Sequence, residues 1–323
     1  LTKNIPLQAS WLNSQKLINN FNNKIFYLQA KYKDIFIHIY SIRTYFLWDI
    51  IEKSKNPFVI DLVDSMTLNL KRKCSILKNF RNYFWKFEYS STKFLEQNLP
   101  SFKYCKKYIV VSKLDKKYLK TKKLMNKKNI LVSSIGYEMP KNLEKKINNN
   151  KTIIFFGSLS YEPNLSAIMW LIKKVMPLVW REDKDILVNI AGGNPPEFLI
   201  DICKNNKRLL LQANPISMTN CIKKATIAVA PLISGSGQQF KIIEAMSNGI
   251  PVLSTTKGSD PFGFEHNKDL FIADTPREFA TSIIEICNNP KLRKSIRNNA
   301  FLNIKNKYSW EILVEELEKN IYS

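Results

Sequence analysis

Glycine is scarce in this 323-residue chain: there are 9, and eight of them follow residue 150, with Gly136 the single earlier one. Loops that bring backbone close to a ligand are therefore expected in the second half. Histidine is scarcer, with 2. The five cysteines (Cys74, Cys105, Cys203, Cys221, Cys287) are scattered. With no CxxC pair and no Cys/His ligand spacing, structural zinc is not expected. An odd number of isolated thiols fits a reducing compartment. No uninterrupted apolar run approaches the ~20 residues needed to span a bilayer, and no signal peptide is legible. The chain opens at Leu1 in what reads as mid-protein sequence, so an N-terminal truncation is expected.

Acid is what the first half lacks. Residues 1–150 carry 29 Lys and Arg against 10 Asp and Glu, an excess of 19, while residues 151–323 carry 21 against 17. Such a half suits nucleic acid, an anionic membrane surface or an anionic substrate. An Asn/Lys-rich composition with a merely solvated face explains the same excess. Hydrophobic content of 45% and aromatic content of 12% indicate a folded chain, and its length indicates two domains.

In the second half, short apolar runs alternate with amphipathic stretches. Candidate strands are Thr152–Phe156, Ile186–Ile190, Arg208–Leu211, Ile227–Ala230, Pro251–Ser254 and Leu270–Ala273. Helical patterns lie at about 163–180, 196–204, 217–224, 238–248, 276–288, 290–305 and 309–321. This alternation predicts a parallel sheet covered on both faces, with ligands beyond the carboxyl ends of its strands. The first half offers Ile35–Ile39, Phe58–Leu62, Tyr108–Ser112 and Ile130–Ser133 as strands. Between the second and third runs a basic helical region, about 66–97, in which Leu77, Phe80, Phe84 and Phe87 recur at helical spacing; the simplest reading is a core-facing stripe. The polar stretch Lys141–Lys151 has linker composition.

The chemistry concentrates in APLISGSGQQFKIIEAMSNGIPVLST, residues 230–255. A strand ends, a glycine-bearing loop follows and a helix starts near Gln238. Free N–H groups at a helix start make an anion site suited to a diphosphate. On the helix, Phe240, Ile243 and Met246 are expected to face inward. Lys241 and Glu244, three apart, share a polar side. The carboxylate can accept from two neighbouring ribose hydroxyls and the lysine can neutralise a phosphate. A surface Lys–Glu pair on an ordinary amphipathic helix is the plainer alternative. His38 ends an apolar run. Asp61 and Asp64, at the end of the 58–62 strand, suit acid–base work or acceptor binding, but equally a turn or cap. Arg43 suits an anionic acceptor or simply the start of a helix. No Ser-His-Asp arrangement, P-loop or complete GxGxxG is present.

The segment GSGQQFKIIEAMSNGIPVLST closely resembles the nucleotide-sugar segment of glycosyltransferase family 4, in the subgroup reading G-x-x-x-K-x-x-E-A-M-x-x-G-x-P-V. The matching residues are Gly237, Lys241, Glu244, Ala245, Met246, Gly249, Pro251 and Val252. FFGSLSYEPNLSAIMWL, IAGGNPP and NKYSWEIL match the family's further segments in order, so the resemblance covers about 150–323. It is weaker over 1–140, where NPFVIDLVDSMT and KKYIVVSKLD are similar to N-domain segments.

The resemblance implies an α/β fold of GT-B type, with two Rossmann-like domains facing a cleft. The expected domains are an acceptor-side domain at 1–140, lacking first strands that precede residue 1, a nucleotide-sugar domain at 141–305, and a closing helix at 306–323 returning to the N-domain. It implies a retaining glycosyltransferase that moves a sugar from a nucleoside-diphosphate sugar to a hydroxyl of a glycan or lipid-linked acceptor, in cell-surface polysaccharide or glycoconjugate synthesis. It implies no cofactor and no obligatory metal. Glu244 would bind the donor ribose, and Gly235, Ser236, Gly237 and Gln238 would face the diphosphate. Gly157, Ser158 and Gly192 would border the phosphates, and Gln212 and Asn214 the base. His38, Arg43, Asp61 and Asp64 would serve the acceptor. Two departures stand out. Ser236 replaces the first glutamate of the family's Glu-x7-Glu motif. The loop GSLSYEPN lacks the usual Arg or Lys, for which Lys241 is the substitute. A cytoplasmic enzyme visiting the inner membrane face is expected, and nucleic acid is not an expected partner. A non-catalytic nucleotide-sugar-binding homologue, or an epimerase of the same fold, is the alternative.

Overall fold

Among the described residues, ten parallel strands are set in two sheets. The computed structural model describes residues 5–76, 82–121, 130–140, 143, 149–233 and 239–321. The chain divides into two compact units, Leu1–Ile135 with Leu313–Ser323, and Gly136–Ile312.

In the first unit, β1 (Ile37–Tyr40), β2 (Phe58–Val63), β3 (Cys105–Val110) and β4 (Ile130–Val132) form a parallel sheet in that order. Apolar residues such as Phe58, Ile60, Tyr108 and Val110 on one face meet Trp48, Ile51 and Leu119. On the other face, Val59 and Ile109 meet Leu317 and Ile321 of the final helix, Trp310–Ile321. This is why Leu313 onward counts with the first unit. Two helices precede the sheet, Leu7–Leu12 and Gln15–Lys31.

The basic region about 66–97 gives two helices, Met66–Ile76 and Asn82–Gln97; Leu77 and Phe80 lie outside the described residues. The expected core-facing stripe is overturned where it can be seen. Phe84 and Phe87 are each 44% exposed, while Glu88, Ser91, Thr92 and Glu96 of the same helix are buried. The helix turns its polar side inward because those side chains hold other backbone. Glu88 accepts from the Leu7 amide at 2.6 Å. Glu96 accepts from Ser65 Oγ at 3.0 Å and the Thr67 amide at 3.2 Å, and so satisfies the start of helix Met66–Ile76.

In the second unit, β5 (Thr152–Phe156), β6 (Leu187–Gly192), β7 (Leu209–Ala213), β8 (Ile227–Ala230), β9 (Val252–Ser254) and β10 (Phe271–Ile272) form a parallel sheet. Its order is β10-β9-β8-β5-β6-β7. Alternation along β5 sends Ile153 and Phe155 into one apolar layer and Ile154 and Phe156 into the other, as a sheet covered on both faces requires. The expected helix 163–180 is interrupted by a π turn at Leu171–Val175, just before Met176–Glu182. Pro177 has no N–H to give the Lys173 carbonyl, and the widened turn accommodates that loss. The segment after Gly136 counts with this unit. Tyr137 bridges to Ser309, and Tyr137 and Met139 pack on the core layer.

Candidate functional site

The strand order of the second sheet reverses at β5, whose neighbours are β6 and β8. Chain leaving the carboxyl ends of β5 and β8 departs to opposite sides, opening a crevice that side chains can line. Gly157 follows β5. The helix after β8, Phe240–Ser247, carries Lys241 and Glu244.

Lys241 reaches back to the β5 loop. Its Nζ donates to Asn164 Oδ1 at 2.7 Å, and Asn164 Nδ2 donates to the Ser158 carbonyl at 2.8 Å. The ammonium also stands 4.2 Å from the centroid of the buried Phe155 ring, a distance at which the ring face attracts a cation. A Cβ on Gly157 would lie 3.2 Å from Asn164 Nδ2 and 3.5 Å from Lys241 Nζ, and Gly157 has φ +134°. Glycine here keeps open the space beside the amine. Burial pushes the Lys241 ammonium down to about 7. Desolvation penalises the charged form, and a bound anion would restore it.

Glu244 is half-buried one turn along, and burial pushes its carboxyl up. The Tyr137 phenol lies beside it; burial first, and then the Glu244 charge, push the phenol up. The neighbouring Ile242, Ile243, Ala245 and Met246 are buried. Phe240, expected to face inward, is instead 40% exposed, with Ile242 taking the inward place. Positions 242, 243, 245 and 246 share the buried side, so 241 and 244 fall off it, Lys241 toward the β5 loop and Glu244 toward Tyr137.

Gly235, Ser236, Gly237 and Gln238 lie outside the described residues. The chain leading into them is tied down. Ser254 Oγ donates to the Ala230 carbonyl at 3.2 Å, Thr255 Oγ1 to the Leu232 carbonyl at 2.7 Å, and Lys257 Nζ to the Ile233 carbonyl at 2.8 Å.

The other residues named from the sequence sit nearby in varied roles. Gly192 ends β6, where a Cβ would fall 1.8 Å from the Gly157 carbonyl oxygen. Its lack of a side chain lets the two loops pack, a sufficient reason for glycine without any ligand. Asn214 has φ +48°, and its Oδ1 accepts from the Asn194 amide at 3.1 Å. Gln212, on β7, is half-buried and Ser158 is exposed. Asn164, Phe155 and Tyr137 escaped the sequence reading. Only Asn164 left a trace: a polar residue one place after the helix-opening Pro163, which is 6% exposed in the fold.

In the first unit the four acceptor-side candidates fall in two pairs on or after β1 and β2, His38 with Asp61 and Arg43 with Asp64. His38 Nε2 is 3.5 Å from Asp61 Oδ2, and Asp61 Oδ1 accepts from the Val63 amide at 2.8 Å. Asp61 thus makes a turn as well as an ion-pair contact. Val63 has φ +67°, a strained conformation for a β-branched residue. Asp64 accepts from Asn69. Burial pushes its carboxyl up, with Asp115 adding to the rise and Arg43 opposing it.

Comparison with known proteins bears on the fold and on residues 150–289. Residues 150–289 match the family model described as glycosyl transferases group 1. An "uncharacterized 44.6 kDa protein in cps region" of Klebsiella pneumoniae is 27% identical over 270 residues, which is 79% of this chain and 69% of that one. The "uncharacterized glycosyltransferase MJ1607" of Methanocaldococcus jannaschii is 24% identical over 58% of this chain and 50% of its own. Among solved structures, a TarM variant from S. aureus, in complex with Fondaparinux, alpha-GlcNAc-glycerol and UDP, has a TM-score of 0.68 at 18% identity. That match covers 93% of this chain and 58% of TarM. Anabaena Alr3699/HepE in complex with UDP has a TM-score of 0.67 at 13% identity, covering 95% and 82%. These likenesses show the two-sheet GT-B fold. The match over residues 150–289, which holds the motif around Lys241 and Glu244, likens this part of the chain to the group 1 glycosyl transferases.

Proposed function

We propose that the chain transfers a glycosyl group from a nucleoside-diphosphate sugar to an acceptor hydroxyl. The observation that carries this reading is Lys241 Nζ, held 2.7 Å from Asn164 Oδ1 beside Gly157 where the sheet order reverses. A buried amine aimed into an α/β crevice is placed for a diphosphate. Lys241 would neutralise the phosphate nearest the sugar, and the start of helix Phe240–Ser247 would add its dipole. Glu244 would accept from the ribose hydroxyls. As the bond from the anomeric carbon to the phosphate oxygen breaks, a new bond forms to the acceptor oxygen, whose proton leaves with the diphosphate. Retention of configuration follows from the family resemblance, and no protein nucleophile or metal enters this scheme. UDP is the nucleotide to try first, since TarM and HepE were solved with it. A capsule-type acceptor fits the "cps region" relative. His38, Asp61, Asp64 and Arg43 are assigned to the acceptor.

The test is thermal unfolding with UDP, GDP and ADP, on this chain and on Glu244→Ala. At 100 times Kd, one nucleotide stabilises the parent by about 2.7 kcal/mol, and the variant loses that gain. Equal stabilisation of parent and variant would remove Glu244 from the site.

A further inference from the structure

Helix Asn82–Gln97 is built inside out. Its carboxylates Glu88 and Glu96 are each 1% exposed, with Ser91 and Thr92 buried between them. On the opposite side Tyr83, Phe87 and Phe94 are 74%, 44% and 45% exposed. Their spacing of four and seven residues puts the three on one stripe. Lys86 and Lys93 flank the stripe on a single side, seven residues apart, with Lys86 Nζ 5.9 Å from the Tyr83 ring and Lys93 Nζ 5.8 Å from the Tyr89 ring. No carboxylate shares this face, because both of the helix's acids point inward. An aromatic face left outside while polar groups are buried runs against the ordinary sorting of a helix in water.

The same chemistry recurs elsewhere in this unit. Residues 5–33 contain no Asp or Glu. Trp11 is 90% exposed on helix Leu7–Leu12, which the Leu7 amide ties to Glu88. Phe26 and Tyr27 are 78% and 55% exposed on helix Gln15–Lys31, with Lys24 Nζ 5.2 Å from the Tyr27 ring.

We infer that the exposed stripe of helix Asn82–Gln97 docks on an anionic lipid surface. Aromatic rings settle at the headgroup level of a bilayer, and lysines beside them meet lipid phosphates. Charge decides against a second copy of the chain, which would set lysine against lysine with no acid between. No helix among the described residues is long and apolar enough to cross a membrane, so the contact proposed is peripheral. The inference stands on the first unit alone and does not need the glycosyl-transfer reading.

Flotation of the chain with phosphatidylcholine vesicles, with and without about a third phosphatidylglycerol, tests it. The chain should float with the anionic vesicles, and half-molar salt should weaken that binding. Phe87→Ser with Phe94→Ser should lower binding at least tenfold, and Lys86→Glu with Lys93→Glu by a similar factor, since each lysine near an anionic surface is worth about fivefold. Both substitutions lie on the surface, and unchanged circular dichroism and thermal unfolding would show intact folding. Anionic-vesicle binding untouched by either double variant would overturn the proposal. So would no binding by the parent, or a sedimenting dimer that only the aromatic variant dissociates.

Discussion

The two units solve the same parallel-sheet problem with different buried polar groups. The second buries apolar layers on both faces of six strands, and burial lowers Lys241 to about 7. The first has four strands and buries a layer of acids and hydroxyls, Ser65, Thr67, Glu88, Glu96, Ser112 and Asp115. Asp115 accepts from the Ser65 amide at 3.0 Å, and Glu96 from Ser65 Oγ and the Thr67 amide. In the first unit buried acids hold loop amides; in the second, Asn164, Ser254 and Thr255 hold loop carbonyls, and close backbone packing at Gly192 is added to them. The lesson is that a site's loops can be fixed by side-chain acceptors, or by side-chain donors with a side chain removed beside them.

Gly192→Ala should break the comparison most severely. Its Cβ would meet a backbone oxygen, which cannot rotate away, so a loss of about 3 kcal/mol or more is expected. Hydrogen exchange should show loosening of β5 and β6 with β2 unaffected. Equal loosening of both units would dissolve the contrast.

Nucleotide binding should follow Lys241. Its folded value of about 7 lies below the ordinary 10.5, and a diphosphate favours the charged form. Above pH 7, binding must take up a proton, so affinity should fall up to tenfold per pH unit. Lys241→Met should bind more weakly and lose that slope. A parent affinity flat from pH 7 to 9, by calorimetry, would take the amine out of the diphosphate site.

Stability should respond to pH with opposite sign in the two units. Burial raises Glu96 from 4.5 to about 7. Between these values the unfolded chain releases a proton that the folded chain keeps, so stability falls as pH rises from 4.5 to 7. For Lys241 the unfolded chain holds the extra proton between about 7 and 10.5, so stability rises there. Glu96→Gln should flatten the first trend and Lys241→Met the second, each read by exchange in its own unit. A Glu96→Gln profile that still falls between pH 4.5 and 7 would assign the trend to another group.

The smallest effect concerns Asp61→Asn. The amide oxygen can still accept from Val63 but loses the charge facing His38. Stability should change by no more than about 1 kcal/mol, because His38 is exposed, while turnover should drop more than nucleotide binding. A loss of nucleotide binding instead would place Asp61 with the donor.

Much of this molecule was legible in its residues, and the reason is periodicity. Short apolar runs bounded by glycine and proline gave the strands of the second unit, and Thr152–Phe156 and Ile227–Ala230 match residue for residue. Lys241 and Glu244 were visible because a glycine loop before an amphipathic helix leaves few places for charge. Pattern failed where a helix was sorted against water. Phe84 and Phe87 looked like core because aromatic spacing on one face reads the same whether that face is covered or bare.

By itself the sequence determined the elements, the parallel pairing and the motif, since these rest on local propensity and spacing. Only the tertiary structure decided the strand order, which makes β5 the point of reversal. Only it set the Lys241 amine against Asn164 and Phe155, 77 residues from its hydrogen-bond partner, and joined His38 to Asp61. Those depend on which loops meet at the ends of strands, a long-range choice fixed by packing and by where a missing Cβ lets two backbones touch.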